Sequence, residues 1–374
     1  MEKNLYIDAS HPNETRVVLK TNGNIEDYEY EGVKNSLIKN NIYLGKVSRV
    51  EPSLQAAFIN FGREKHGFLS FNDIQSNYYQ IPQSDLEKIK KEEKKTREEL
   101  LKKSKEQEDQ NIHDGNLIDE DPVEKKSNDT ETVENNKKQI NYPSKRYKIQ
   151  EVIKPNQVIL VQVLKDERGF KGAALSTFIS IAGKYIVLMP NTPKGGGISR
   201  KIFIPSDRKK VRTILNQIEI PKEMGVIIRT AGLNKTKNEI EHDLNSLIKV
   251  WNSIKENAMN ALAPSLIHQE SEIIKRTLRD IFDEETQNVI IECNDGYQKA
   301  KSFMKLMMPK HLKKIKKYTD KITLFFKENI ESKLNEIFET KVKLNSGGYL
   351  IINPTEALVS IDINSGKSIK QKNV

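Results

Sequence analysis

Apolar and polar residues alternate along residues 40–71, NNIYLGKVSRVEPSLQAAFINFGREKHGFLSF, with glycines as punctuation. Successive side chains of a strand face opposite ways, so this period-two spacing predicts short antiparallel strands joined by turns. Residues 147–176, YKIQEVIKPNQVILVQVLKDERGFKGAALS, predict two further strands with a loop between them. Four or five short strands with a long excursion between the third and fourth suit a small Greek-key barrel such as an OB-fold. Residues 177–203, TFISIAGKYIVLMPNTPKGGGISRKIF, are again β-rich and carry a glycine loop. The period then changes: Ile240, Leu244, Leu247, Ile248, Trp251 and Ile254 form the apolar stripe of an amphipathic helix. A longer helical stretch is expected from about Tyr297 to Glu339, broken near Pro309 and Thr319. Strand text returns over residues 342–368, VKLNSGGYLIINPTEALVSIDINSGKS, and only IKQKNV follows, so a domain opening there is expected to be incomplete.

Length and charge sharpen this picture. At roughly 100 to 200 residues per domain, 374 residues predict two to four compact units. Hydrophobic residues make up 36% and charged residues 30%, more polar than the roughly 45 to 50% apolar of a typical globular chain. The excess lies between about Asp85 and Asn141, where both charge signs mix, aromatics are absent and aliphatics are few after Leu101. Such a segment buries too little apolar area to offset its ordering entropy. It predicts a disordered or loosely helical insertion within one folded unit, with its first half, Leu86 to Lys105, the more helix-prone. Cys293 is the only cysteine, so no intrachain disulfide and no Cys-based zinc knuckle can be built from this chain alone. The N-terminus lacks the apolar core of a signal peptide, and no apolar run approaches the roughly 20 residues of a membrane span. A soluble, cytoplasmic protein is expected. Its net charge of +10 favours a polyanionic partner, although it also fits a merely soluble protein.

Three places carry candidate chemistry. In residues 56–61, alternation sets Ala57, Ile59 and Phe61 on one face and Phe58 with Asn60 on the other. If that second face is solvated, Phe58 lies beside a turn bearing Arg63, Lys65 and His66, with Phe68 just beyond. Exposed rings among cations suit single-stranded nucleic acid, whose bases stack on aromatics while cations track phosphates. The alternative is that both rings are barrel core, and one strand cannot decide between them. Next, the glycines of GGGISR, Gly195 to Arg200, could present an anion nest, and RTAG, Arg229 to Gly232, follows the strand-like MGVII. Lysines outnumber arginines about fourfold, which marks Arg229, Arg200 and Arg168 as places needing the planar fork that grips phosphate. A turn with a surface salt bridge is the alternative. Finally, Asp362 leaves the apolar strand VSIDINSG just before a Ser-Gly turn, with Asn364 on the same face. A carboxylate there could hold Mg²⁺, or simply form the turn. Gly366 to Ser368 reads GKS, but the phosphate-binding loop motif needs glycine where this chain has Ile361, which rejects it. The six histidines show no metal-spaced pair, and His268 in LIHQE reads as structural.

Taken together, NIYLGKVSRVEPSLQAAFINFG with HGFL, KGAALSTFISIAGKYIVLMPNTPKGGGISR, GVIIRTAG, APSLIHQE and SGGYLIINPTEALVSIDINSG resemble the catalytic half of the bacterial ribonuclease E/G family. The resemblance covers nearly the whole chain outside the charged insertion, and HGFL and ISIAG bring it closer to the E branch. It implies an α+β multidomain fold: an RNase H-like subdomain (residues 1–36 and 275–338) with an inserted S1-type OB β-barrel (37–177, carrying the insertion at 85–141) and a 5′-sensor region (178–274). An incomplete DNase I-like catalytic subdomain follows from residue 339 to 374. The implied activity is Mg²⁺-dependent internal cleavage of single-stranded, A/U-rich RNA in RNA processing and decay.

The same resemblance assigns residues. Phe58, Phe61 and Phe68 match the RNA-facing aromatic positions of the barrel, with Phe61 where the family can have tyrosine, and Lys165 and Lys171 match its basic contacts. Arg229 and Thr230 match the pair that grips a 5′-monophosphate, with Gly183 and Val187 lining the same pocket. Asp362 matches one of two metal-binding aspartates and Asn364 the neighbouring catalytic asparagine. In the family a second such aspartate follows, then a cysteine-containing zinc link that joins subunits into a homo-oligomer. No acidic residue follows Asp362 here and Cys293 lies elsewhere, so zinc and oligomerisation are expected only of a longer protein. The chain is therefore expected to bind RNA but to cleave it poorly, with a non-catalytic single-stranded RNA-binding module as the alternative. A scaffolding role for the charged insertion is a third, weaker reading.

Overall fold

The computed structural model describes residues 2–32, 37–92, 95, 147–167, 171–192, 197–221, 223–270 and 272–367. Two compact units emerge, one from residues 1–35 with 273–374 and the other from residues 36–272. The first unit begins with an antiparallel meander of β1 (Lys3–Asp8), β2 (Glu14–Thr21) and β3 (Asn24–Gly32). Tyr6 and Val18 are register partners, as are Leu5 with Leu19 and Ile7 with Val17, so both faces of β1 and β2 are apolar and both are buried.

The second unit is built on a barrel. Its strands are β4 (Ile42–Glu51), β5 (Ala56–Asn60), β6 (Gly67–Ser70), β7 (Val158–Lys165) and β8 (Ala174–Ser176). They run in the order β4-β5-β6-β8-β7, and pairing of β4 with β7 closes the ring, an arrangement consistent with an OB fold. Closure is possible because β4 is ten residues long: its first half pairs with β7 and its second with β5. The interior holds Val47, Ala57, Ile59, Phe61, Leu69, Val161, Val163 and Leu175. Gly45 lets two strands approach, since a Cβ there would lie 2.6 Å from Ile59 Cγ2.

The charged excursion leaves from and returns to this barrel. Residues 83–92 are helical, and Ile89 packs into the barrel core beside Ile149, Val152 and Ile153 of the returning chain. The Gln80 N–H donates to Val152 O at 2.9 Å and the Tyr147 hydroxyl to Asp85 Oδ2 at 2.9 Å, tying the two ends together. Most of the expected insertion, including nearly all of its helix-prone half beyond residue 92, lies outside the described residues, as do Arg168, Gly195, Gly196, Ser368 and the tail.

Beyond the barrel, β9 (Ile181–Ala182), β10 (Ile186–Met189), β11 (Gly197–Ile198) and β12 (Gly225–Ile228) form a sheet in the order β11-β12-β10-β9. The helix Lys237–Asn260 packs on β9 and β10. It starts at a capping box in which the Thr236 N–H donates to Glu239 Oε2 (3.0 Å) and the Glu239 N–H donates to Thr236 Oγ1 (3.4 Å). Of the expected stripe, Ile240, Leu244, Leu247 and Ile254 are buried, and Ile248 and Trp251 are half-buried at its margin. The chain then returns to the barrel through β13 (Ser265–His268), antiparallel to the first half of β4.

The first unit resumes after residue 272. Strands β14 (Asn288–Glu292) and β15 (Ile315–Lys317) add to β1 in parallel, giving the order β15-β14-β1-β2-β3. Leu324, Phe325, Ile330 and Leu334, from two short helices, cover the face bearing Tyr6 and Val18. The helices Ile273–Asp280 and Asn294–Met307 pack against the same sheet. The break expected near Pro309 and Thr319 thus contains a strand: Ile315 is buried between lysines, a pattern too short to read as β by period. A three-stranded antiparallel sheet of β16 (Lys341–Lys343), β17 (Tyr349–Pro354) and β18 (Val359–Asn364) ends the described chain.

Candidate nucleic-acid and phosphate-binding sites

Barrel closure decides which face of β5 is outside. Phe61 is 1% exposed and packs edge-on against Tyr43 at 5.1 Å, inside the core with Ala57 and Ile59. The expectation that Phe61 faces RNA is therefore corrected: a ring enclosed by the barrel has no face left for a base. Phe58 is half-buried on the opposite, outer side, and Phe68 is 36% exposed beside it, the two rings meeting at 6.1 Å and 75°.

These rings sit in a row that crosses the sheet. Register pairs Lys165 with Ala174, Ala174 with Phe68, Phe68 with Phe58, and Phe58 with Arg49, one residue from each strand of the barrel. Partners in register share a face, so the row presents two aromatics between two cations. Both cations owe their places to register shifts: one between Val163 and Lys165 skips Leu164, the other between Val47 and Arg49 skips Ser48. A bulge of this kind re-aims the side chain beyond it. The Arg49 guanidinium lies 4.5 Å from the centre of the Phe58 ring, within cation–π range. Lys171 is exposed on the approach to β8, and Arg63 and His66 are exposed in the turn before β6. Arg49 was not singled out by sequence, since simple alternation puts Ser48 opposite Phe58.

The second site is the turn between β9 and β10. Gly183 and Tyr185 there offer carbonyls to Arg229: its Nη1 donates to Gly183 O at 2.7 Å and its backbone N–H to Tyr185 O at 2.8 Å. From the other side, Asp243 of the Lys237–Asn260 helix accepts the N–H groups of Tyr185 (2.8 Å), Ile186 (3.1 Å) and Lys184 (3.4 Å). Asp243 is 2% exposed, and burial pushes its carboxyl above the ordinary value of 3.8, opposed by those backbone bonds and by the charge of Arg229. Gly183 is required for space, because a Cβ there would lie 2.6 Å from Asp243 Oδ2 and 2.9 Å from Leu247 Cδ1. Thr230 is exposed at the start of a 3₁₀ turn whose preceding residue is Arg229, and Val187 is half-buried between Ala182 and Ile227. The structure thus brings Gly183 and Arg229 into contact. Asp243 escaped sequence reading, although an aspartate three residues after Ile240 and four before Leu247, within the apolar stripe, was a legible signal. Arg200 is exposed in a turn, and Gly197 and Ile198 pair with β12 as a two-residue strand.

The third site is on β18. Asp362 and Asn364 are two residues apart on one strand face, and Asn364 Nδ2 donates to Asp362 Oδ2 at 2.8 Å. Register places Ile351 beside Asp362 and Tyr349 beside Asn364, with Lys341 and Lys343 one strand further along the same two rows. The opposite face of this sheet carries Val342, Leu350, Ile352, Val359, Ile361 and Ile363. A carboxylate and a carboxamide offer the hard oxygen donors that Mg²⁺ takes. Among the described residues no group of three or more His, Cys, Asp or Glu could enclose a metal, so Asp362 fits one arm of a metal grip and not a whole cage. His268 Nε2 lies 3.1 Å from Glu270 Oε2, and Cys293 is free. Among the described residues no helix is long and apolar enough to cross a membrane.

Comparison with known proteins gives the same direction from independent information. The model of the ribonuclease E/G family matches residues 180–374, just over half of the chain. A ribonuclease E of Haemophilus influenzae is 34% identical over 368 residues, covering 98% of this chain and 33% of its own length. A relative from Buchnera aphidicola subsp. Baizongia pistaciae, which carries the same name provisionally, is 36% identical over 373 residues, covering all of this chain and 77% of its own length. The Escherichia coli K12 ribonuclease G is 28% identical over 363 residues and is covered to 63%. The chain spans about a third of the length of the ribonuclease E relatives from Haemophilus influenzae and Escherichia coli K12. With a family model over half its residues and a 36% identical relative covered for three quarters of its length, the chain belongs to the ribonuclease E/G family.

Proposed function

We propose that this chain carries the RNA-holding part and one catalytic carboxylate of an endoribonuclease that cuts single-stranded, A/U-rich RNA and senses its 5′-monophosphate. The observation that carries the reading is the row of Lys165, Phe68, Phe58 and Arg49 across the barrel, two rings bracketed by cations on one outer face. Bases stack on Phe58 and Phe68, and Lys165, Lys171 and Arg49 track the phosphates. Residues 37–177 act as an S1-type barrel and 178–274 as the 5′-sensor. Residues 1–36 with 275–338 correspond to an RNase H-like subdomain, and 339–374 to the opening of a DNase I-like catalytic subdomain.

In the sensor, Arg229 and Thr230 bind the terminal phosphate beside Gly183 and Val187, and the guanidinium fork favours a monophosphate over a bulkier end. On β18, Asp362 would hold Mg²⁺, which when bound would supply activation of water for attack at the phosphodiester. Asn364 orients the Asp362 carboxylate through its 2.8 Å bond. A zinc link and a homo-oligomer are assigned to the full-length protein, and the cytoplasm is the compartment that suits an RNA substrate.

The row of rings and cations would equally serve a second reading, a single-stranded RNA-binding module without chemistry. The purified 374-residue chain, mixed with a 5′-monophosphorylated A/U-rich oligonucleotide and Mg²⁺, is expected to bind it while cleaving weakly. Slow cleavage abolished by Asp362→Asn supports the enzyme, and binding with no cleavage in either protein supports the module. Robust cleavage would contradict the one-carboxylate account, and failure to bind single-stranded RNA would sink both readings.

A further inference from the structure

The turn between β9 and β10 is held from two sides, and only one of them is explained by phosphate binding. Its carbonyls at Gly183 and Tyr185 anchor Arg229, and its N–H groups at Lys184, Tyr185 and Ile186 converge on Asp243. A carboxylate enclosed at 2% exposure on the apolar face of a helix is costly, and folds tolerate one where it is hydrogen-bonded and does something an apolar residue could not. Packing alone would be served by a leucine, as at Leu244 and Leu247 on the same face. Instead Asp243 puts negative charge within electrostatic reach of Arg229 and clamps the three amides that set where the Gly183 carbonyl points. The clamp also requires that residue 183 have no side chain, since a Cβ would lie 2.6 and 2.8 Å from the two Asp243 carboxylate oxygens.

We infer that Asp243 is a positioning residue of the 5′-phosphate site: it fixes the turn of residues 183–186 so that Gly183 O holds the Arg229 guanidinium in one orientation, ready for a terminal phosphate. The inference rests on the sensor reading of Arg229 and adds a residue that never touches the RNA. Its specific consequence is that removing the Asp243 charge lowers preference for a phosphorylated 5′ end without lowering affinity for the rest of the strand.

The test uses the full chain and one A/U-rich oligonucleotide carrying either a 5′-monophosphate or a 5′-hydroxyl, with binding read by fluorescence anisotropy. Asp243→Asn keeps the shape and one acceptor oxygen but removes the charge, and Asp243→Ser removes the charge with a smaller side chain that still offers one acceptor. Each is expected to reduce the preference for 5′-monophosphate by about tenfold, the scale of a charge-assisted hydrogen bond, while the Kd for 5′-hydroxyl RNA stays within about twofold. Arg229→Ala is the reference for complete loss. If the wild-type chain discriminates and both variants discriminate equally well, Asp243 has no positioning role. Equal losses on both RNAs reveal a general structural role and overturn the assignment as well. If the wild-type chain binds the two RNAs alike, the sensor reading itself fails and takes this inference with it. Should Asp243→Asn not fold, Asp243→Ser decides.

Discussion

Phe58 and Phe61 are three residues apart and of the same chemistry, yet the barrel gives them opposite tasks. Phe61 fills the interior against Tyr43, and Phe58 lies outside between Arg49 and Phe68. Truncating each should therefore read out differently. Phe58→Ala is expected to weaken single-stranded RNA binding by about 1 to 3 kcal/mol, the value of one stacked base, with little change in melting temperature. Phe61→Ala is expected to cost about 3 to 5 kcal/mol of stability, the usual penalty for emptying a core aromatic site. Anisotropy and thermal melts on the two variants check this, and a large loss of stability in Phe58→Ala would return that ring to the core. Period-two spacing could name the two faces of this strand but not which was inside, because that depends on where strands far along the chain come to lie. Asp243 is the converse case: its local pattern was visible, but its partners are 57 to 59 residues away along the chain.

Among the elements, the excursion between β6 and β7 shows how a small barrel accepts a long insertion. Its stem is closed by the Gln80 to Val152 and Asp85 to Tyr147 bonds, and Ile89 is packed with Ile149 and Val152. Loop-closure entropy grows only slowly with length, so a closed stem isolates the barrel from what lies beyond it. Replacing residues 93–146 with a short glycine-serine linker is expected to leave both the melting temperature and the single-strand affinity of the chain nearly unchanged. A substantial drop in either would mean that the excursion supplies core or RNA contacts of its own. The longer barrel strands β4, β5 and β7 and the Lys237–Asn260 helix were legible because each spans enough residues to display its period. Strand β15, three residues with one buried apolar side chain, was not, since its β conformation comes from pairing with β14.

For the molecule as a whole, the proposed interface would make the net charge of +10 act through a few placed cations rather than through the total. If Arg49, Lys165 and Lys171 each neutralise one phosphate, three contacts at about −0.7 apiece predict that log K falls against log salt with a slope of about −2. Lys171→Ala is then expected to flatten the slope by about 0.7 without altering base preference, as measured by anisotropy over a salt series. An unchanged slope would remove Lys171 from the interface. The division into two units, with residues 1–35 rejoined by 273–374, likewise belongs to this scale, because it requires β1 to pair with β14 across more than 280 residues.

Local pattern by itself determined that a β-rich barrel, a long amphipathic helix and a terminal strand bearing Asp362 and Asn364 exist, and distinctive segments tied them to one family. Tertiary structure alone decided that Phe58 and not Phe61 faces outward, that two bulges bring Arg49 and Lys165 into one row, and that Asp243 reaches the turn beside Arg229. The physical reason is range. Periodicity is a property of neighbours along the chain, whereas inside and outside, register across strands and the partners of a buried charge depend on segments that meet only after the barrel and its adjoining sheet have closed.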